Sequence, residues 1–268
     1  MKSEAKLKDP LGLKIVPWVS VAGFFVVWQA LITTGIVPKE LLASPLEVGR
    51  LLFDKLTNPD PDGAVLLTHI SISLTEALLG YFLALLIGIP LGLLMGWFVV
   101  AEGLARPLFE MIRPIPPVAW IPLAIFWFGI GLAGKVFIIW ACGVVPCVIN
   151  AYTGVRMTNP TLIRMARCYG ASNWQIFVRI CVPSALPMVF GGLQIALALA
   201  WTTLVAAELI AADTGLGFLI TMGRRLLRPD MIVLGMLMVG ITGWIIGYII
   251  DRIERRLTAG LERGGAAS

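Results

Sequence analysis

Residues 161–187 read TLIRMARCYGASNWQIFVRICVPSALP and form the polar centre of an otherwise apolar chain. A helix from Pro160 to Tyr169 is expected to stop at Gly170, because glycine adopts the positive φ that ends a helix without steric cost. Ser172 or Asn173 can then cap a second short helix, Trp174 to Val182. Pro183 and Pro187 begin the next apolar run. The outcome is a compact helix–turn–helix with basic and aromatic side chains on its surface. A mere loop does not need that much ordered structure, so the segment reads as built to dock into something.

Outward from this centre the chain is apolar on both sides. It has 268 residues, of which 58% are apolar and 14% charged, with a mean hydropathy of +0.89. Soluble domains carry about 25% charged and 45–50% apolar residues. No soluble fold of this size hides so much apolar surface, so the chain is an integral membrane protein. The apolar runs are continuous rather than alternating, which excludes a β-barrel. The 28 Gly and 17 Pro agree with membrane helices. The net charge of +5 does not point to nucleic acid, because the basic residues cluster between apolar runs, as anionic headgroups and topology require. Cys142, Cys147, Cys168 and Cys181 show no metal-ligand spacing. The start, MKSEAKLKDP, does not read as a cleaved signal peptide.

About six spans fit, each needing about 20 residues. The expected layout is an N-terminal cytoplasmic segment 1–14, a transmembrane domain 15–252 and a cytoplasmic tail 253–268. Span one covers about 15–37. An amphipathic segment, 45–56, with Leu46, Val48, Leu51, Leu52 and Leu56, lies on the outer surface, and NPDPDG ends it. Span two covers roughly 67–100; Gly88, Gly92 and Gly96 give it a small-residue face for close packing within the monomer. Pro107, Pro114, Pro116, Pro117 and Pro122 forbid a regular helix through 101–122, so a bent connection leads into span three, ending near Phe128. Span four covers about 136–155, the polar centre 156–183, span five about 186–209, a glycine-containing connection 210–228, and span six 231–250. With both termini inside, the inner segments carry about twice the basic residues of the outer ones. Arg224, Arg225 and Arg228 are the exception.

Catalytic signatures are absent. GIGLAGKV at 129–136 matches GxxxxGK, but it lacks the Ser/Thr that holds magnesium and the strand that precedes a P-loop. The chain therefore does not hydrolyse ATP itself. His69 has no carboxylate pair or cysteine near it in sequence, and HExxH and GxSxG patterns are missing. Two acids fall in or near the spans, and carboxylates in lipid are expensive. Glu76 is expected to pair locally. Glu208, with Thr202 and Thr203 nearby, is a candidate for the pathway or a gate.

The 161–187 segment resembles the cytoplasmic signature loop of ABC importer permeases: Glu-Ala-Ala, three residues, Gly, nine residues, Ile, one residue, Leu-Pro. Ala166, Gly170, Ile180 and Pro183 fall on that pattern; Arg164 stands at the family's Glu, Met165 at the first Ala and Val182 at Leu. PIPPVAWIPLAIFWFGIG (114–131) and WTTLVAAELIAADTGLGFLI (201–220) are similar to the nitrate/sulfonate/taurine branch, the latter especially to taurine permeases. The resemblance covers about residues 44–257.

It implies an all-α fold of the type I ABC importer permease, in a bacterial inner membrane. It further implies a permease homodimer, a separate cytoplasmic P-loop ATPase dimer that binds the ATP and magnesium, and a periplasmic or lipid-anchored solute-binding protein. No cofactor belongs to this chain. Ala166, Gly170, Ala171 and Ser172 would be docking residues, with Arg164 and Arg167 offering charged contacts. The implied cargo is a small anionic or zwitterionic solute, a sulfonate such as taurine; nitrate, aromatic carboxylates or a thiamine precursor suit the same machinery. A secondary transporter driven by an ion gradient is the alternative class, but it needs internal repeats and buried coupling sites, and only Glu76 and Glu208 offer themselves.

Overall fold

The computed structural model of the protein describes residues 11–265. The first ten positions of the expected N-terminal segment and the last three of the expected tail lie outside the described residues. Among the described residues every regular element is helical. Five helices are long and apolar enough to cross a membrane, or six if one bent pair counts as a span. The chain divides into two compact units, Met1–Leu66 with Leu219–Gly235, and Leu67–Phe218 with Met236–Ser268.

In the first unit, α1 (Leu11–Thr33) is apolar along its length and mostly exposed, as contact with lipid demands. The amphipathic segment forms α2 (Pro45–Asp54), where Val48 and Leu51 are buried and Leu46 and Phe53 exposed. A capping box starts it: the Glu47 N–H donates to Ser44 Oγ at 3.2 Å and the Ser44 N–H to Glu47 Oε2 at 2.9 Å. That backbone bond, and the Ser44 hydroxyl beside it, hold the Glu47 carboxyl below the usual range. The NPDPDG turn wraps Lys55, which is fully buried. Its ammonium donates to the carbonyls of Pro59 (3.2 Å), Asp60 (3.3 Å) and Ala64 (2.9 Å) and pairs with Asp62. Nothing in the sequence pattern marks this cage.

In the second unit, α3 (Leu66–Trp97) packs on α6 (Leu132–Arg156) through the expected glycine face. The approach is tightest at Gly92, where a Cβ would lie 2.4 Å from the Val148 carbonyl oxygen. α6 packs in turn on α9 (Val182–Ile210), with Gly154 against Ala185 and Gly192 against Asn150. Ala77, Tyr81, Ile139, Cys147 and Leu204 form the core between these three helices.

Three expectations are corrected. Span two stops at Trp97, not at 100, because Phe98 is extended. A regular helix does run through Pro107: α4 (Val99–Ile112) continues across it. Arg106 braces the proline's neighbourhood from both sides, with Glu102 at 3.0 Å and Glu110 at 2.8 Å. The break falls later, at 113–116, before a 3₁₀ turn (Pro117–Trp120) and α5 (Ile121–Phe128), and the bend there is 87°. The third correction concerns the second helix of the polar centre. After α7 (Pro160–Cys168) and the turn, α8 (Asn173–Ile176) passes through a π turn (Phe177–Cys181) directly into α9, so Asn173–Ile210 is one 38-residue helical course. The Val182 N–H reaches Phe177 O, an i→i+5 bond. Pro183 directly follows this bond, at a point where the regular i→i+4 ladder is already interrupted.

The 210–228 connection contains a helix, α10 (Leu216–Arg225), and the last span extends as α11 (Pro229–Gly265).

Candidate functional site

The polar hinge joins α7 to α8 through two interlocked caps. The Gly170 N–H donates to Arg167 O and the Ala171 N–H to Ala166 O, each at 3.0 Å. That is a Schellman closure with Gly170 at φ +81°. Two residues on, the Gln175 N–H donates to Ser172 Oγ (3.3 Å) and the Ser172 N–H to Gln175 Oε1 (2.9 Å), a capping box that starts α8. Asn159 caps α7, accepting from the Thr161 N–H at 2.9 Å. The turn is therefore stiff, with no side chain within 4 Å of the Cβ position at Gly170.

The hinge has two faces. Inward, Ile176 and Phe177 are buried, with Ile163, Ala166, Ala171 and Ile180 partly buried against the same core. Trp97 stacks on Phe177, Phe98 meets Phe177 edge-on, and Trp174 stacks on Phe98. Outward, Leu162, Met165, Tyr169 and Trp174 are exposed, Tyr169 by 88%. Arg164, Arg167, Gly170, Ser172 and Pro183 are exposed with them. Arg164 reaches only Thr161 Oγ1, at 3.3 Å. An apolar tip flanked by the exposed guanidinium groups of Arg164 and Arg167 is suited to seat in a groove that carries acidic residues.

The candidate pathway residues do not share a surface. Thr202 is exposed and its hydroxyl turns back to Ala198 O (3.1 Å). Thr203 is buried, with its hydroxyl 3.1 Å from Cys142 Sγ. Glu208 is 1% exposed. Its Oε1 accepts from Ser73 Oγ (2.6 Å) and its Oε2 from the Gly217 N–H (2.7 Å). The Leu216 N–H donates to Ser73 Oγ (2.9 Å) and the Gly215 N–H to His69 Nδ1 (3.0 Å). The free donors that every helix start leaves open are thus taken, for α10, by side chains of α3 and α9. Gly215, at φ +121°, is held so close that a Cβ there would lie 2.2 Å from Glu208 Oε1.

Glu76 pairs with Lys135 at 2.7 Å, both side chains buried. His69, Ser73 and Lys135 are residues that sequence reasoning missed as partners. The available signal was the spacing of His69, Ser73 and Glu76, which places all three on one face of a helix. Among the described residues, no cluster of His, Cys, Asp or Glu can hold a metal ion.

Residues 88–263, more than half of the chain, match the family described as "Binding-protein-dependent transport system inner membrane component". The chain belongs to this family. Among relatives of the permease, the taurine transport system permease protein TauC of Escherichia coli is 36% identical over 89% of this chain and 87% of its own. The putative aliphatic sulfonates transport permease protein SsuC of the same organism is 32% identical over 91% and 90%. The nitrate import permease protein NrtB of Synechocystis is 30% identical over 92% of each chain.

In fold, the permease matches a chain of the inward-facing MetNI methionine ABC transporter, with a TM-score of 0.62 at 20% identity, covering 71% of this chain and 95% of that one. The type I ABC importer permease fold expected from the sequence is therefore the fold of this chain. The permease is a multi-pass inner-membrane protein. It is not the enzyme of its system, since ATP hydrolysis in this family is done by a separate subunit.

Proposed function

We propose that the permease imports a small anionic or zwitterionic organic solute, a sulfonate such as taurine, handed over by an extracytoplasmic binding protein. It works as a homodimer, with both termini cytoplasmic, on a dimer of P-loop ATPases that holds the ATP and magnesium. The hinge between α7 and α8 seats in a groove of each ATPase. Closure of the ATPase pair pushes the two hinges and switches the pore from inward-open to outward-open.

The observation that carries this reading is the double-capped turn at Gly170 and Ser172, which presents Tyr169 and Met165 outward on a rigid base. Arg164, Ala166, Arg167, Ala171, Ile180 and Pro183 belong to the same unit: the arginines as charged contacts, the others as the small or apolar side chains that hold its shape. The taurine and aliphatic-sulfonate relatives support the sulfonate reading; the nitrate relative marks the alternative cargo.

The test is copurification of the permease with its ATPase, followed by uptake of taurine, an alkanesulfonate and nitrate. Gly170→Glu should leave the permease in the membrane while ATPase copurification and uptake are lost. Full uptake by that variant excludes the hinge as the coupling element. Import of nitrate but not of taurine keeps the mechanism and replaces the cargo.

A further inference from the structure

The break between α4 and the 3₁₀ turn carries a charge that nothing described so far uses. Arg113 sits at the C-terminal cap of α4, inside the bent pair that forms a candidate span. It is exposed and has no ion pair or side-chain hydrogen bond among the described residues. The neighbouring carboxylate, Glu110, is taken by Arg106 at 2.8 Å. An arginine within a membrane-spanning segment is costly, and where one persists it faces protein, a pairing group or a water-filled cavity.

Arg113 is also the sole charged residue lining a cavity of about 680 Å³. Aromatic rings wall that cavity. Phe137 is its hub, with ring centroids 6.2 Å from Trp120, 5.8 Å from Trp127 and 5.6 Å from Trp140. The Trp140 indole N–H is buried and has no acceptor. A buried donor without a partner is costly, so an acceptor that reaches it from the cavity relieves it. The cavity therefore offers a guanidinium, a spare N–H donor and flat aromatic faces. Those faces accept an apolar body by stacking or an ammonium by cation–π attraction.

We propose that this cavity is a solute site on the translocation path, in which Arg113 receives the sulfonate head of an organosulfonate and the aromatic wall receives its body. The proposal rests on the importer reading above and names the residue that makes the path favour such an anion. The guanidinium fork matches the planar array of oxygen acceptors on a sulfonate face. Inorganic anions supply the head but no body for the aromatic wall.

The test uses the full chain with its ATPase in phosphatidylcholine nanodiscs. Binding is followed by calorimetry, with taurine, toluene-4-sulfonate and inorganic sulfate as probes. Both organosulfonates should bind, and sulfate should bind more weakly than either. Arg113→Gln should weaken organosulfonate binding about tenfold or more, as loss of a charge-assisted contact predicts, and Arg113→Lys should restore part of it. Trp140→Phe, which keeps the ring and removes the N–H, should weaken binding less than Arg113→Gln does.

Equal affinities in wild type and Arg113→Gln overturn the proposal. So does loss of the dimer in Arg113→Gln, which would mean that a second copy covers the cavity. Sulfonate binding that is absent here while phosphatidylglycerol binds in an Arg113-dependent way assigns the residue to a lipid headgroup instead. The importer reading fails separately, if uptake does not depend on ATP; nitrate carried and taurine refused only replaces the cargo. Arg113 dependence of that nitrate uptake would retain the residue's role in the path and remove the organosulfonate assignment.

Discussion

Ser73 Oγ lies 2.6 Å from Glu208 Oε1, although 135 positions separate the two residues. That one bond, with the Gly217 N–H on the other carboxylate oxygen, fixes the start of α10 to two long helices. Glu208→Ala should leave the Ser73 hydroxyl and a backbone N–H without this acceptor. A buried neutral donor left without its acceptor costs about 1–3 kcal/mol, so a loss of that order is expected for each of the two. Thermal unfolding in nanodiscs checks the size. Limited proteolysis checks the location, with cleavage appearing first around 211–218. Glu208→Gln keeps an acceptor and should lose less.

Gly92 tests the packing of α3 on α6. A Cβ there would lie 2.4 Å from backbone, at Val148 O, so Gly92→Ala cannot be absorbed by rotating a side chain. Overpacking of this kind costs about 1–3 kcal/mol. Gly103→Ala, where nothing lies within 4 Å, is the matched control and should gain or lose little. The comparison of melting temperatures decides.

Tyr169 separates docking from folding. It is 88% exposed, so Tyr169→Ala should change stability by less than about 0.5 kcal/mol. ATPase copurification should nevertheless fall about tenfold if the ring is an anchor in the partner's groove, since such aromatic anchors carry 2 kcal/mol or more. An unchanged yield of complex removes Tyr169 from the docking surface.

Lys55 is the test of the cage that follows α2. Lys55→Met keeps the stem but removes the cation from three carbonyls and the Asp62 carboxylate. A loss of about 3–5 kcal/mol is expected, measured as a drop in melting temperature. Lys55→Met combined with Asp62→Asn should recover part of it, because no uncompensated buried charge remains.

Acid should act at the start of α2. The Ser44 N–H holds the folded-state pKa of Glu47 below its ordinary value of 4.5. The group therefore contributes stability that is fully present above that value and is lost as pH falls through the lower folded-state value. Wild type and Glu47→Gln should differ most near neutral pH and converge on acidification below 4.5. A difference that grows with acid contradicts the assignment.

The legible parts of this molecule are local. Gly170 can be read as a helix stop because ending a helix needs only the residue's own φ, and the spacing of Gly88, Gly92 and Gly96 is a helical period. The passage through Pro183 is not legible, because two prolines in five residues read as a break unless a π turn is known to precede them. Pro107 misleads for a similar reason: the Arg106 pairs that brace α4 are visible in sequence, but their strength against one lost hydrogen bond is not. Glu208 could be marked as an acid worth explaining, yet its partners come from α3 and from the turn before α10. Arg113 is one basic residue among many until the fold gathers Trp120, Trp127 and Trp140 around the same cavity.

The unbroken course from Asn173 to Ile210 has a mechanical meaning. Its first turn is clamped by Ser172 at the hinge, and Glu208 near its last turn holds the mount of α10. The 36 residue steps from Ser172 to Glu208 span about 54 Å at about 1.5 Å per residue, so the course is a connecting rod long enough to cross the bilayer. On the coupling proposed above, thrust at the hinge would reach Glu208 through continuous helix, with no loop between them. The π turn at Phe177–Cys181 is the stretch of the rod where the i→i+4 ladder gives way to an i→i+5 bond, so the rod is not uniform along its length.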